Sequence, residues 1–104
     1  MQAIPLAIKD GSASVTSAAA IALSAVGFGF TTAEIERADM ARITVSGDGV
    51  LYRMTGVAPT TTIGHPVPDG GTFEIEGSIN VRNFKIIADS GTATVFVTLL
   101  TKSL

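Results

Sequence analysis

The stretch TATVFVTLLT, residues 92–101, alternates polar and apolar side chains and is rich in β-branched residues. Successive side chains of a strand point to opposite faces, so this period of two predicts a half-buried β-strand. One face carries Ala93, Val95, Val97 and Leu99, and the other carries Thr94, Phe96, Thr98 and Leu100. If the first face is the core, the second presents Phe96 and Leu100 as a contact stripe among threonines. The alternative is that a second sheet covers that face.

Similar alternation recurs upstream. Residues 41–46 and 72–76 read as strands by the same period, and residues 81–87 as a further one. Residues 47–49, Gly-Asp-Gly, indicate a turn, so residues 50–54 are expected to be the hairpin partner of the strand before it.

The N-terminal half is more varied. Residues 1–13 are predicted to be an N-terminal arm or edge strand, because Pro5 removes a ladder donor, with a turn at residues 10–12. Residues 14–30 favour one or two strands. Residues 31–40 predict one helical turn that bridges two sheets, with Thr31 or Thr32 as its cap.

These short strands, separated by turn signals, predict an all-β protein. The expected fold is a small β-sandwich or jelly-roll-like domain of about seven or eight short antiparallel strands, with at most one short helical turn. Residues 14–104 would form this single domain.

The composition is poor in charge. Charged residues make up 15% of the 104-residue chain and hydrophobic residues 46%, against a usual charged fraction of about 25%. This favours a protein packed against partners, including copies of itself. The seven Lys and Arg residues are scattered and the net charge is −2, so no nucleic-acid partner is expected.

The apolar run at residues 18–26 is shorter than the roughly 20 residues of a membrane-spanning helix. The N-terminus also lacks the basic region of a signal peptide. A soluble protein with no membrane partner is therefore expected.

The sequence offers little catalytic chemistry. His65 is the only histidine, no G-x-S-x-G motif is present and cysteine is absent. Glu74 and Glu76 share one strand face, as a solvated pair would, and Asp48 sits in a turn that lacks the spacing of a calcium loop. We therefore predict a non-enzyme with no catalytic residues, cofactor, metal or small-molecule substrate.

The connection formed by residues 55–71 carries three prolines and four glycines, and a loop of this length is usually functional or an interface. Together with the N-terminal arm and the outer face of the last strand, it supplies the predicted contact residues. These are Ile4, Pro5, Leu6, Pro59, His65, Pro66, Phe96 and Leu100.

A little over half of the chain resembles small virion structural proteins of tailed bacteriophages. Their pattern has a V-R-Y-R-x-D-G-x-A-P-T strand and loop, then G-H-x-L, an acidic-apolar strand, an F-K-x-I core and a Thr/Val strand. The matching segments are ARITVS (41–46), VLYRMTGVAPT (50–60), TIGH (62–65), FEIEG (73–77), FKII (84–87) and ATVFVT (93–98). Thr55 stands where the pattern often has Asp, so the turn there is expected to close differently.

The resemblance implies a β-sandwich capsid decoration (cement) protein that stabilises the head lattice. It implies the major capsid protein as partner and a homo-oligomer, with a trimer favoured. It also implies a place on the capsid exterior after a soluble stage in the host cytoplasm. A tail or head–tail connector component is one alternative. A carbohydrate-binding or adhesin module is another, because residues 52–62 resemble a Y-x-x-D-G-x-x-P-T loop, although the chain has no Trp and a single Tyr.

Overall fold

The computed structural model describes residues 4–103, and the side chains of residues 6–101. This part of the chain forms eight strands, two short α-helices and a 3₁₀ helix. In chain order they are β1 (Ile4–Thr16), β2 (Ile21–Ala22), the 3₁₀ helix (Val26–Phe28), α1 (Thr32–Arg37), β3 (Met40–Ser46), β4 (Val50–Arg53), β5 (His65–Val67), β6 (Thr72–Glu76), α2 (Ser78–Asn83), β7 (Lys85–Ala88) and β8 (Thr92–Ser103).

The strands form two four-stranded antiparallel sheets. Sheet A has the order β1-β8-β3-β6 and sheet B the order β2-β7-β4-β5. Apolar side chains of both sheets belong to one buried core, which includes Ile43 and Val97 from sheet A and Val50 and Ile86 from sheet B. The prediction of a small all-β, sandwich-like domain is confirmed.

The alternation in β8 has the predicted effect. Ala93, Val95, Val97 and Leu99 are buried in the core. Phe96, on the opposite face, is 48% exposed. β8 occupies an inner position of sheet A, paired with β1 on one side and β3 on the other, so its inward-facing side chains lie in the middle of the core.

The expected hairpin between residues 41–46 and 50–54 is wrong. β3 pairs with β6 and β8 in sheet A, whereas β4 pairs with β5 and β7 in sheet B. The turn between them therefore carries the chain from one sheet to the other. A turn signal shows that the chain reverses, but it does not say which strand will become the partner.

The strand predicted over residues 81–87 is only partly right, because the chain there is helical as far as Asn83 and then enters β7. Val81 and Phe84 are both fully buried. A spacing of three places two side chains on one side of a helix but on opposite faces of a strand. α2 is therefore a second helix, where at most one helical turn was expected.

The turn expected at residues 10–12 does not form, because β1 continues through it and pairs with residues 92–103 of β8. β1 also crosses the boundary placed between residues 13 and 14. Gly11 makes this course possible: a Cβ there would lie 2.2 Å from the carbonyl oxygen of Phe28. Only glycine allows the 3₁₀ helix to lie so close to β1.

Residues 14–30 contain the end of β1, the two-residue β2 and the 3₁₀ helix. α1 then connects sheet B to sheet A, as predicted, and Thr31 is its cap. The Thr31 hydroxyl accepts from the Glu34 backbone N–H at 3.2 Å, and the Glu34 carboxylate accepts from the Thr31 backbone N–H at 2.8 Å. This capping box satisfies two backbone donors at the helix start.

Candidate functional site

The outer face of sheet A carries exposed and half-buried side chains, most of them polar, arranged in rows across β1, β8 and β3. The central row is Ser12, Phe96 and Thr44, and the next row is Asp10, Thr98 and Arg42. We call these six residues the open face. A shallow depression of about 500 Å³ lies over them and also touches Gly11 and Val97.

Hydrogen bonds hold the charged side chains of the open face in place. The Thr98 hydroxyl donates to Oδ1 of Asp10 at 2.8 Å. Arg42 donates from Nε and Nη2 to Oε2 of Glu74, on β6, at 3.2 and 3.0 Å. Both partners of the Arg42–Glu74 pair are about half exposed, so the pair orients the guanidinium more than it stabilises the fold.

Phe96 is the apolar centre of the open face. Its cross-strand neighbours are the small polar side chains of Ser12 and Thr44. Thr44 in turn lies 3.3 Å, hydroxyl to hydroxyl, from Thr72 of β6. None of these neighbours is large enough to cover an aromatic ring, which is why Phe96 stays exposed.

Leu100 does not extend this exposed stripe, and its predicted exposure is wrong. It is only 5% exposed and lies opposite Met40, which is also buried. The Asp39 backbone N–H donates to the Leu100 carbonyl at 2.8 Å. Leu100 and Met40 therefore form a buried cross-strand pair at this end of the sheet, and Phe96 is the exposed large apolar side chain of β8.

The predicted contact residues of the long loop separate in the structure. His65 and Pro66 are exposed on the edge strand β5, whereas Pro59 is buried. The His65 ring lies 5.3 Å from the Tyr52 ring, measured between centroids. His65 thus packs on an aromatic neighbour at the edge of sheet B.

Tyr52 belongs to an aromatic cluster that the sequence pattern did not indicate. Its ring stacks on Phe73 of β6 at 4.5 Å and lies 5.6 Å from Phe84. The cluster joins sheet A to sheet B, with Phe84 fully buried. Its members are far apart in sequence, so only a signal of long-range pairing could have revealed it.

The loop before β5 covers the outer face of sheet B. Gly64 lies between Leu51 and Pro59: a Cβ on Gly64 would be 3.1 Å from the Cβ of Leu51 and 3.2 Å from that of Pro59. As a result Leu51 is only 7% exposed although it points away from the core. The loop is tied to α2 by a hydrogen bond from the Gly56 N–H to the Asn83 carbonyl at 3.2 Å.

The N-terminal contact residues lie on the edge of sheet A. Ile4 and Pro5 pair through the backbone with residues 103 and 102 of β8, and their side chains lie outside the described ones. Leu6 is 49% exposed. Since β3 pairs with β8 only as far as Leu100, residues 4–6 and 101–103 form a two-stranded extension beyond the rest of the sheet.

The acidic residues and the histidine of the described part of the chain do not gather into a candidate metal site. No charged or polar residue is buried among the described residues, and no three His, Asp or Glu residues gather in a way that could hold an ion. Glu74 and Glu76 are exposed, and Asp48 accepts from the Gly49 N–H in its turn at 2.8 Å. No helix in the described part of the chain is long and apolar enough to span a membrane.

Comparison of the chain with protein-family models, with curated proteins and with solved structures gave no match.

Proposed function

We propose that this chain is a non-enzymatic structural protein of a virion, most specifically a capsid decoration protein that stabilises the head lattice. Its partner would be the major capsid protein, and its place the capsid exterior. The proposal combines the resemblance of residues 41–98 to phage virion proteins with the surfaces of the folded domain.

The open face is the observation that carries the binding role. An aromatic ring, 48% exposed, stands among short hydroxyl side chains on a regular sheet. Such a surface can pack closely against another protein, because Ser and Thr lose little side-chain entropy when they are covered. The depression over this face is open to solvent, whereas a small-molecule site is usually an enclosed cleft.

The long edge strand β1 supports the same role. It runs for 13 residues at the border of sheet A, and its terminal part extends beyond β3. A neighbouring chain could add a strand there, since a sheet edge presents unpaired backbone donors and acceptors. The bulge between Ala7 and Lys9 interrupts the ladder and would confine such pairing to the regions on either side.

A decoration protein stabilises a shell by adding contact area across the joints between subunits. Burial of apolar surface contributes about 25 cal/mol per Å². Each contact is modest by itself, but a chain or oligomer that engages several capsid subunits at once gains from the high effective concentration of the later contacts.

The first test is the copy number of the chain relative to the major shell protein in purified particles, measured by quantitative mass spectrometry. A ratio near one, or a simple fraction of it, is expected for lattice decoration. A few copies per particle would assign the chain to the tail, the connector or a unique vertex. Absence from particles would overturn the virion proposal, and a polysaccharide pull-down would then test the sugar-binding module.

The second test is binding of the purified chain to particles that lack it. Phe96→Ser should weaken binding, whereas Ile79→Ser should not. Ile79 is a suitable control because it is also an exposed large apolar side chain, but it lies on α2. Equal binding by both variants would show that the open face is not the lattice contact.

A further inference from the structure

The two strands that flank β8 on the open face carry opposite charges at equivalent positions. Asp10 of β1 and Arg42 of β3 both pair with Thr98, one on each side. Each charge therefore lies one strand spacing, about 4.8 Å, from the line of β8. In the next row Ser12 and Thr44 flank Phe96 in the same way.

This arrangement is complementary to itself. In a two-fold symmetric contact each residue pair occurs twice, because the same surface is used by both copies. A two-fold axis that runs parallel to β8 and lies in the interface exchanges the β1 side and the β3 side of two facing sheets. Asp10 of each copy then faces Arg42 of the other, while Thr98 and Phe96 face their own equivalents near the axis.

We propose that the open face binds a second copy of this chain, forming a two-fold dimer in which two sheets A pack face to face. The two Phe96 rings meet at the centre, and the Asp10–Arg42 pairs form on both sides of them. The short side chains of Ser12 and Thr44 let the facing sheets approach. The dimer uses the same face that we propose for the lattice contact, so the free dimer must separate before a chain binds to the capsid through that face.

The charged groups have hydrogen-bonding capacity left for such a contact. Within the described part of the chain, Asp10 uses only Oδ1 and Arg42 only Nε and Nη2. Oδ2 of Asp10 and Nη1 of Arg42 are therefore available to a second copy, and Arg–carboxylate pairs are strong when partly desolvated. A nucleic acid would instead meet the carboxylates of Asp10 and Glu74.

The face has the area of a modest interface. β1 and β8 have 13 and 12 residues, and β3 and β6 have 7 and 5. At about 4.8 Å between strands and about 3.3 Å per residue, the face covers on the order of 600 Å². A standard-size interface buries about 800 Å² per partner. Sheets that pack face to face keep their strands within about 30° of each other, so β8, the strand nearest the axis, would be the best aligned.

Charge variants give a direct test by sedimentation equilibrium. In the symmetric dimer, Asp10→Arg places a positive charge opposite Arg42 at both contacts. Arg42→Asp likewise places a negative charge opposite Asp10 at both contacts. Each variant alone should dimerise at least about tenfold more weakly than the wild type. An equimolar mixture should regain the dimer, because residue 10 of one variant then meets the opposite charge at residue 42 of the other in both positions.

The mixture also controls for folding, since a misfolded variant could not regain association. Phe96→Asp should prevent dimerisation in every combination. The inference is overturned if the wild-type chain stays monomeric at about 200 µM, well above the micromolar Kd of a modest interface. It is also overturned if the chain forms the trimer implied by the phage resemblance, or if both charge variants dimerise unchanged. The copy number in particles is measured separately from these outcomes, so the dimer and the proposed function can fail independently of each other.

Discussion

The outer faces of the two sheets both carry apolar side chains, but these differ in their exposure to solvent. On sheet B, Leu51 is 7% exposed because the loop that holds Pro59 and Gly64 lies over it. On sheet A, Phe96 is 48% exposed and has only short polar neighbours. One face is thus closed by the chain itself, whereas the open face presents its aromatic ring to solvent.

The difference in exposure suggests different roles for the two faces, folding stability for the covered face of sheet B and binding for the open face. Covering a sheet face with a loop stabilises the isolated domain through buried apolar area, at the cost of ordering the loop. An exposed apolar ring contributes little to folding. A single exposed apolar side chain is ordinary on a protein surface. The self-complementary charges beside Phe96 are therefore what indicates a contact surface. We therefore expect substitutions on sheet B to change folding and those on the open face to change association.

The largest effect is expected from Leu51→Ala. Removing a buried leucine leaves a cavity beneath the covering loop, which should lower the free energy of unfolding by about 2–4 kcal/mol. Denaturant titration measures this. Leu6→Ala is the matched control, because Leu6 is 49% exposed, and its loss should stay below about 0.5 kcal/mol. Equal losses would mean that the loop does not shield Leu51 in solution.

Gly64→Ala should have the next largest effect, about 1–3 kcal/mol. Gly64 has a φ of +145°, and a Cβ there would crowd both Leu51 and Pro59. Gly70→Ala separates the two causes: Gly70 also has a positive φ, of +83°, but a Cβ there would meet nothing within 4 Å. If the two variants lose the same stability in thermal unfolding, backbone strain and not the loop contact accounts for the result.

Thr31→Ala tests a part of the molecule that belongs to neither face. Loss of the capping box should cost about 1 kcal/mol, independently of protein concentration. The variant thus shows how a loss of folding stability away from the open face affects dimerisation, for comparison with the dimer variants. A change in oligomeric state in Thr31→Ala would show that destabilisation alone disturbs association.

The same capping box predicts a pH effect. The hydrogen bond from the Thr31 backbone N–H, together with the Thr31 hydroxyl and Lys9, holds the pKa of Glu34 below its ordinary value. A lowered folded-state pKa means that the stabilisation is present above the unfolded-state pKa and is lost as the pH falls through the folded one. Glu34→Gln should therefore narrow the stability difference between neutral and acidic pH, which urea titrations at several pH values would reveal.

The smallest effect on folding is expected from Phe96→Thr. In dilute solution its free energy of unfolding should stay within about 0.5 kcal/mol of the wild type, because the ring is half exposed in the monomer. At high concentration the wild type should gain stability by mass action and the variant should not. A large loss in dilute solution would show that Phe96 stabilises the monomer, and would remove the contrast between the two faces.

Local stereochemistry allowed much of the fold to be predicted. The two-residue period of residues 92–101 correctly separated the buried positions from the half-buried and exposed ones up to Thr98, because alternation is a property of the strand itself. It failed at Leu100, which lies opposite the buried Met40, a residue far away in sequence. A helix cap at Thr31 or Thr32 was predicted because a cap and the groups that it bonds lie within four residues, and the structure shows a capping box at Thr31.

By itself, the sequence determined the all-β class, the faces of β8, the position of α1 and the charge-poor surface. Each of these depends on residue type or on a local period. Only the tertiary structure decided that β3 and β4 join different sheets, that Val81 and Phe84 enter the core from a helix, and that a loop closes the outer face of sheet B. It also placed Asp10 and Arg42 symmetrically about β8. The physical reason is that strand pairing and packing depend on long-range burial, which no local pattern encodes.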